Sequence, residues 1–397
     1  MFPTGHLEVV LPGGRRLTVG DGGAPRVALE IADRLTLARI MAQPSLGVGE
    51  AYMAGKLTLT RGSMRDLVEL AMRHGPERLP GARPGALARG WARLARERNA
   101  RVSARRNVHH HYDLSVDLYR AFLDEDLQYS CAYFETPDAD LESAQRAKKR
   151  HIAGKLDLAA GQRVLDIGCG WGGMALSLAA WTGASVDGVT LSEEQLRTAR
   201  TRAEAAGLSH LARFSLTDYR DVAGPYDRIV SVGMFEHVGR PNYQAFFDKI
   251  GRLLKPDGVA LIHSIGRADG PSTTDPFTAK YIFPGGYIPA LSEVLHAVER
   301  AGLWVTDIEI LRLHYAETLR HWHERFMARR AEIAAMYDER FCRMWEFYLV
   351  GAEMGFRHGD HMNFQLQLTK RVDALPITRG YMEEGERALA RVERRVA

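Results

Sequence analysis

The sequence predicts an α/β protein: a doubly wound parallel sheet with helical insertions, preceded by a small N-terminal α+β domain. Three observations carry this. From about residue 161, short apolar runs alternate with helical periodicity. The first run opens through "VLDIGCGWGG" (164 to 173) into a helix, a strand–glycine turn–helix unit. Ahead of it, "LEVVLPGGRRLTVG" (7 to 20) alternates around a Pro-Gly-Gly turn, the pattern of a hairpin.

Taken in order, residues 7 to 20 form that hairpin, and 30 to 75 read as helical with "GEAYMAGKLTL" (49 to 59) as a break. Residues 1–82 are thus expected as an N-terminal domain. The stretch 83–106 differs: it holds eight arginines against one acid, Glu97. Leu87, Trp91 and Leu94 fall on one helical face and Arg89, Arg93 and Arg96 on another, which reads either as a solvated linker helix or as a segment resting on anionic lipid. Residues 107–397 are expected as the catalytic domain. Its candidate strands are 163–167, 185–190, 212–216, 228–233 and 257–265, with helices over 172–182, 192–206 and 241–254. An aromatic-rich helical insertion follows over 316 to 350, then a last strand at 362 to 370 and a solvated helical tail from 384.

The chain has 397 residues, 46% of them hydrophobic, and a formal charge of +4, which gives no reason to expect nucleic acid as a partner. Three separated cysteines (Cys131, Cys169, Cys342) suit a reducing compartment. The opening residues lack the pattern of a signal peptide, and no run of about 18 apolar residues occurs, so a cytoplasmic location is expected. "VHHHYDLS" (108 to 115) places histidines side by side on one segment, an arrangement that does not converge on a metal.

In the glycine turn, Gly168, Gly170 and Gly173 match the dinucleotide pattern, so a nicotinamide-dependent oxidoreductase must be weighed. Two features speak against it. Asp166 sits two residues before the first glycine, and the second strand ends in "GVTLSEEQ", with Thr190 where a ribose-binding acid is expected. S-adenosylmethionine suits the turn better: its aminocarboxylate meets the glycine turn while Asp166 balances its cationic end.

The same stretches carry a resemblance to the cyclopropane-fatty-acid synthases. They are "HYDLSVDLY" (111–119), "YSCAYFE" (129–135), "LESAQRAK" (141–148), "VLDIGCGWGG", "GVTLSEEQ" (188–195), "YDRIVSVGMFEHVG" (226–239), "LLKPDGVALIHSIG" (253–266), "KYIFPGGYIP" (280–289) and "HYAETLRHWHERF" (314–326). The first 105 residues resemble the N-terminal domain of the longer, two-domain members. The resemblance implies a Rossmann-like S-adenosylmethionine methyltransferase acting on cis double bonds of unsaturated phospholipids. It places the cofactor against Tyr129, Ser130, Val164, Asp166, Gly168, Gly170, Gly172, Thr190, Leu191, Gln195, Tyr219 and Arg220. Bicarbonate is implied as the base that closes the ring, with Cys131, Glu236, His263, Ile265 and Tyr315 as its ligands.

Methyl addition to an alkene leaves a carbocation that water would quench, so the site must be dry and apolar. Loss of a proton elsewhere on the chain would give a methylated or methylene-branched product instead. A methyltransferase for a soluble metabolite and a non-catalytic lipid-binding module are the remaining readings; Glu236 and His263 argue against the second. A homodimer peripheral to the inner face of the cell membrane, engaging anionic-rich bilayers, is the expected setting.

Overall fold

The structure is a computed structural model and describes residues 4–74 and 114–396. The basic segment 83–106, the expected boundaries at 82/83 and 106/107, and His109 to Asp113 lie outside the described residues. The chain forms two compact units, Met1–Ala95 with Thr274–Pro284 and Leu319–Asp360, and Arg96–Thr273 with Gly285–Thr318 and His361–Ala397.

In the first unit, strands β1 (His6–Val10), β2 (Arg16–Gly20), β3 (Arg26–Ile31) and β4 (Leu57–Arg61) form a sheet in the order β2-β1-β3-β4. β1 and β2 are the expected hairpin, paired antiparallel from His6–Gly20 to Val10–Arg16. The expected break at 49–59 is corrected: helix Pro44–Met53 runs through its first half, and β4 occupies the rest. Gly49 marks close approach and not a break, since a Cβ there would lie 2.4 Å from the Phe277 ring and 2.9 Å from that of Phe347. The insertion resolves into helices His314–Ala328, Arg330–Met336 and Glu339–His358. Glu353 on the last is fully buried, and its carboxylate accepts from Arg65 and Arg357, each at 2.6 Å.

The second unit holds β5 (Arg163–Ile167), β6 (Ser185–Thr190), β7 (Ala212–Leu216), β8 (Tyr226–Val232), β9 (Leu254–Arg267), β10 (Trp304–Ile310) and β11 (His361–Thr369), in the order β10-β11-β9-β8-β5-β6-β7. β5, β6 and β7 match the expected ranges. β8 and β9 begin two and three residues earlier than expected, at the buried Tyr226 and at the buried Leu254. From β9 to β7 all neighbours are parallel; β11 and β10 are antiparallel additions, so the sheet is mixed at one edge. Alternate β5 residues feed two cores, Leu165 and Ile167 with Phe235, Phe246 and Phe364, and Val164 with Val186, Val230 and Leu261. Among the described residues no helix is long and apolar enough to cross a membrane.

The tail is not merely solvated. Helix Gly380–Val396 lies along helix Leu141–Lys155, with Met382 buried and Glu393 paired to Arg150. His151 bonds Glu386 through Nδ1 and Glu309 through Nε2, the latter at 2.6 Å. Burial disfavours the charged imidazole, but these two carboxylates outweigh it and raise its pKa above the ordinary value. For Glu309, burial is outweighed by His151 and Lys155, which hold it down at about 2. The His151 contribution is therefore complete below its unfolded pKa and lost as pH rises through the raised value. The Glu309 contribution is complete above its unfolded pKa and lost as pH falls toward 2. Thermal stability should thus be greatest between about pH 4.5 and 6.5 as far as this cluster is concerned. In His151→Gln the decline above that window should vanish; a melting profile unchanged by the substitution would remove His151 from the pH response.

Candidate active site

The carboxyl ends of β5, β6, β8 and β9 gather the residues singled out from the sequence. After β5, Gly168, Gly170 and Gly172 have φ of +79°, +53° and +85°. A Cβ on Gly172 would come within 3.0 Å of Ala199 and Phe214, and one on Gly168 within 2.8 Å of the Met234 Cβ, whereas one on Gly170 meets nothing within 4 Å. The turn is thus packed from behind and open in front. Gly168→Ala should cost roughly 1–3 kcal/mol through its left-handed backbone alone, read as a lower urea midpoint; an unchanged midpoint would mean the turn rearranges freely.

Asp166 is buried, and its Oδ2 has no protein partner. Burial pushes its carboxyl up to about 7, against the pull of Lys148. Val164 lies in the core beneath it. At the end of β6, Thr190 Oγ1 donates to Gln195 Oε1 at 2.7 Å, and Ser192 caps the following helix through the Gln195 N–H. Leu191 stands between them. Beyond β7, Tyr219 packs edge-on to Phe246 at 5.3 Å, and Arg220 is engaged by Asp218 at 2.5 and 2.8 Å.

A second wall is the segment 124–131. Asp124 accepts from the Asp126 and Gln128 N–H groups, and Leu127 sits at φ +58°, a costly conformation for leucine. Tyr129 packs edge-on to Tyr119 at 5.4 Å, and Tyr119 contacts Trp171 of the glycine turn at 5.5 Å. From helix Leu141–Lys155, Gln145 Nε2 donates to the carbonyls of Gln128 and Ser130, and Lys148 Nζ donates to Gln128 Oε1 and Ser130 Oγ. A Cβ on Gly233, just past β8, would lie 3.8 Å from the Ser130 Cβ, so this wall and the β8 end face each other closely.

The remaining residues lie on the elements around it: Glu236 just after β8, His263 and Ile265 in β9, Cys131 at the end of the wall and Tyr315 in helix His314–Ala328. Glu236 lies in a single 3-10 turn, Phe235–His237, and its Oε1 accepts from the Ile265 N–H at 2.7 Å; its Oε2 is buried without a protein partner. Burial pushes Glu236 up to about 7, against hydrogen bonds from Ile265 and Ser264. His263 is fully enclosed, and burial holds its imidazole well below the usual value. Gln365 Nε2 donates to His263 Nδ1 at 3.1 Å, while His263 Nε2 has no protein partner. Cys131 is completely buried, which pushes its thiol up, and Sγ points to the Ala132 carbonyl at 3.3 Å. The neighbouring Ala132 N–H donates to Thr318 Oγ1 at 3.0 Å. Tyr315 is 8% exposed, next to His314, whose Nδ1 accepts from the Phe134 N–H at 2.9 Å.

One detail differs from expectation. The Ile265 N–H, expected to face an anion, is used by Glu236. Burial leads the influences on both side chains, opposed for Glu236 by the Ile265 N–H and its own backbone and reinforced for His263 by Lys148 and Lys155. Sequence reasoning missed Gln145, Lys148, Thr318 and Gln365. The signal for Gln365 was present: Asn363, Gln365, Gln367 and Thr369 alternate with apolar residues in a strand buried on both faces.

Matches to known proteins follow the same outline. A family model described as mycolic acid cyclopropane synthetase matches residues 99–366, and one described as a domain of unknown function matches 3–79. Cyclopropane-fatty-acyl-phospholipid synthase of Escherichia coli K12 is 41% identical over 338 residues, 84% of this chain and 86% of its own. Tuberculostearic acid methyltransferase of Mycobacterium tuberculosis is 40% identical over 375 residues, 89% of this chain and 85% of its own. The solved structure of mycolic acid cyclopropane synthase CmaA1 complexed with SAH and CTAB superposes with a TM-score of 0.64 at 35% identity, covering 66% of this chain and 97% of that one.

The class these features define is the S-adenosylmethionine-dependent methyltransferases. The site fits that cofactor: a glycine turn open in front, a helix start, and a buried carboxylate oxygen awaiting a partner. Within the class, the chain belongs to the mycolic acid cyclopropane synthetase family.

Proposed function

We propose that the protein methylates cis double bonds in the acyl chains of unsaturated phospholipids and closes a cyclopropane ring. The observation that carries this is the pair of buried polar atoms without protein partners, Glu236 Oε2 and His263 Nε2, in an otherwise enclosed site. Bound against Tyr129, Ser130, Val164, Asp166, the glycine turn, Thr190, Leu191, Gln195, Tyr219 and Arg220, S-adenosylmethionine supplies the electrophilic methyl. Held by Cys131, Glu236, His263 and Tyr315, bicarbonate supplies the base.

The chain's own groups suit an anion there. With its pKa near 7, Glu236 carries a proton in a large share of molecules at neutral pH, and Oε2–H then donates where a carboxylate would repel. His263 is neutral; because Nδ1 accepts from Gln365, its proton sits on Nε2, which donates. Ile265 orients Glu236 and stands one bond removed from the ligand. The Cys131 thiol stays protonated with its S–H directed to the Ala132 carbonyl, so it borders the anion as a neutral group and not as a nucleophile. Burial around Phe235, Cys131 and His263 keeps water from the cation that forms on the acyl chain.

The remainder of the reading is the setting: a homodimer at the inner face of the cell membrane, with 83–106 as a basic linker helix between the N-terminal domain (1–82) and the catalytic domain (107–397). A second fate of the same cation has a specific observation behind it. The relative named as a tuberculostearic acid methyltransferase is as similar as the cyclopropane synthase, so a methyl- or methylene-branched product is the alternative.

Incubation with S-adenosylmethionine and vesicles of cis-unsaturated phospholipid, followed by proton NMR of the extracted chains, separates them. Upfield ring protons are expected. Vinylidene or branched-methyl signals would overturn ring closure, and absence of any product would overturn the lipid substrate.

A further inference from the structure

The Leu141–Lys155 helix sends a lysine into the site that the reading above does not use. Lys148 is fully buried, yet it makes no ion pair with any described carboxylate. Its neighbours behave differently: Lys149 pairs with Asp126 at 2.6 Å and Lys155 with Glu309. Lys148 Nζ instead donates to Gln128 Oε1 at 2.6 Å and Ser130 Oγ at 2.8 Å, leaving one of its three protons without a protein acceptor. Burial lowers its pKa to about 8, with Asp124 and Asp126 pulling it back up from beyond ion-pair distance, so it is charged at neutral pH. A buried ammonium without a directly paired carboxylate is costly, and buried charges are as a rule paired.

The surroundings say where a counter-charge belongs. The positive field of Lys148 reaches Asp166, Cys131 and His263, which line both halves of the site. Because Ser130 Oγ accepts from Lys148, the Ser130 hydroxyl proton is left to donate outward. Gln145 fixes the Ser130 carbonyl at 3.0 Å, so that hydroxyl is held in place from two sides. We propose that Lys148 is a positioning residue that supplies, through Ser130, the positive charge for a carboxylate-type anion bound against residues 128–131. Two ligands of this site offer that chemistry: the aminocarboxylate of S-adenosylmethionine, and bicarbonate. The second rests on the proposed function; the first does not.

The test is Lys148→Met in the full chain, with two binding readouts. S-adenosylhomocysteine carries the carboxylate and methylthioadenosine lacks it. If the cofactor is the source, K148M binds S-adenosylhomocysteine at least about 10-fold more weakly, the scale of one lost charged hydrogen bond, and binds methylthioadenosine as before. If bicarbonate is the source, nucleoside binding is unchanged and the bicarbonate concentration for half-maximal turnover rises by a similar factor. Equal weakening of both nucleosides would overturn the proposal, because the lysine would then only support the loop. So would two unchanged readouts. Wild-type turnover indifferent to bicarbonate would overturn the bicarbonate reading alone and leave the nucleoside comparison to decide on Lys148. Should K148M not fold, the wild-type enzyme decides: the Lys148 Cε resonance should titrate at higher pH once S-adenosylhomocysteine or bicarbonate is added, and a titration moved by neither would overturn the assignment.

Discussion

Replacing Glu236 with leucine is expected to lower turnover about 10²- to 10³-fold, the scale of losing one preorganised donor in a water-excluded site. Leucine also strands the Ile265 N–H, now bonded at 2.7 Å, at a cost of roughly 1–3 kcal/mol. Glutamine is the informative partner variant. Its amide reproduces the protonated acid, accepting from Ile265 through one atom and donating through the other, so it should retain part of the activity. The wild-type rate should fall as pH rises through about 7, where Glu236 loses its proton, and the glutamine variant should lack that limb. Full turnover in the leucine variant would take the carboxyl out of the mechanism. An alkaline limb surviving in the glutamine variant would assign that limb to another group.

The second large effect is expected at Gln365, which touches no reacting atom. Its amide donates to His263 Nδ1 and so leaves the imidazole proton on Nε2. Gln365→Glu replaces that donor with an acceptor. The proton then moves to Nδ1, Nε2 turns from donor to acceptor, and the neighbouring carboxylate raises the imidazole pKa. Turnover should drop about 10- to 100-fold, as for other outer hydrogen bonds that fix a histidine, with S-adenosylhomocysteine affinity unchanged. Imidazole ¹⁵N shifts report the tautomer directly. A wild-type enzyme carrying its proton on Nδ1 would refute this account of the pair.

Much of the catalytic unit was legible because its strands are buried on both faces and so appear as apolar runs with abrupt polar ends. Asp166 and Glu236 stand out in such surroundings, His263 came from the resemblance, and all three lie toward the carboxyl ends of the central strands β5, β8 and β9. Lys148 was hidden for the opposite reason. "RAKKRH" has the look of a solvated charge run, and only the fold of residues 124–131 over it makes Lys148 the enclosed member and Lys149 the paired one. The tail misled in the same way: Glu386 and Glu393 look like surface acids until Arg150 and His151 face them. The stretch 49–59, expected as a break, instead continues the helix Pro44–Met53 through Gly49, whose missing Cβ admits two aromatic rings, and then forms β4. Long-range partners, not local preference, decide each case.

β11 places Gln365 opposite His263 and Asn363 opposite Ile265, with Phe364 between them and Leu366 just beyond. A slip of one residue would set an aromatic or aliphatic side chain against the imidazole and turn Asn363, Gln365 and Gln367 into the core now filled by Phe364, Leu366 and Leu368. The alignment that builds the site is therefore the one that the core enforces. Single-residue insertions within β11 should thus cost stability and activity together, and those beyond Lys370 should be nearly silent.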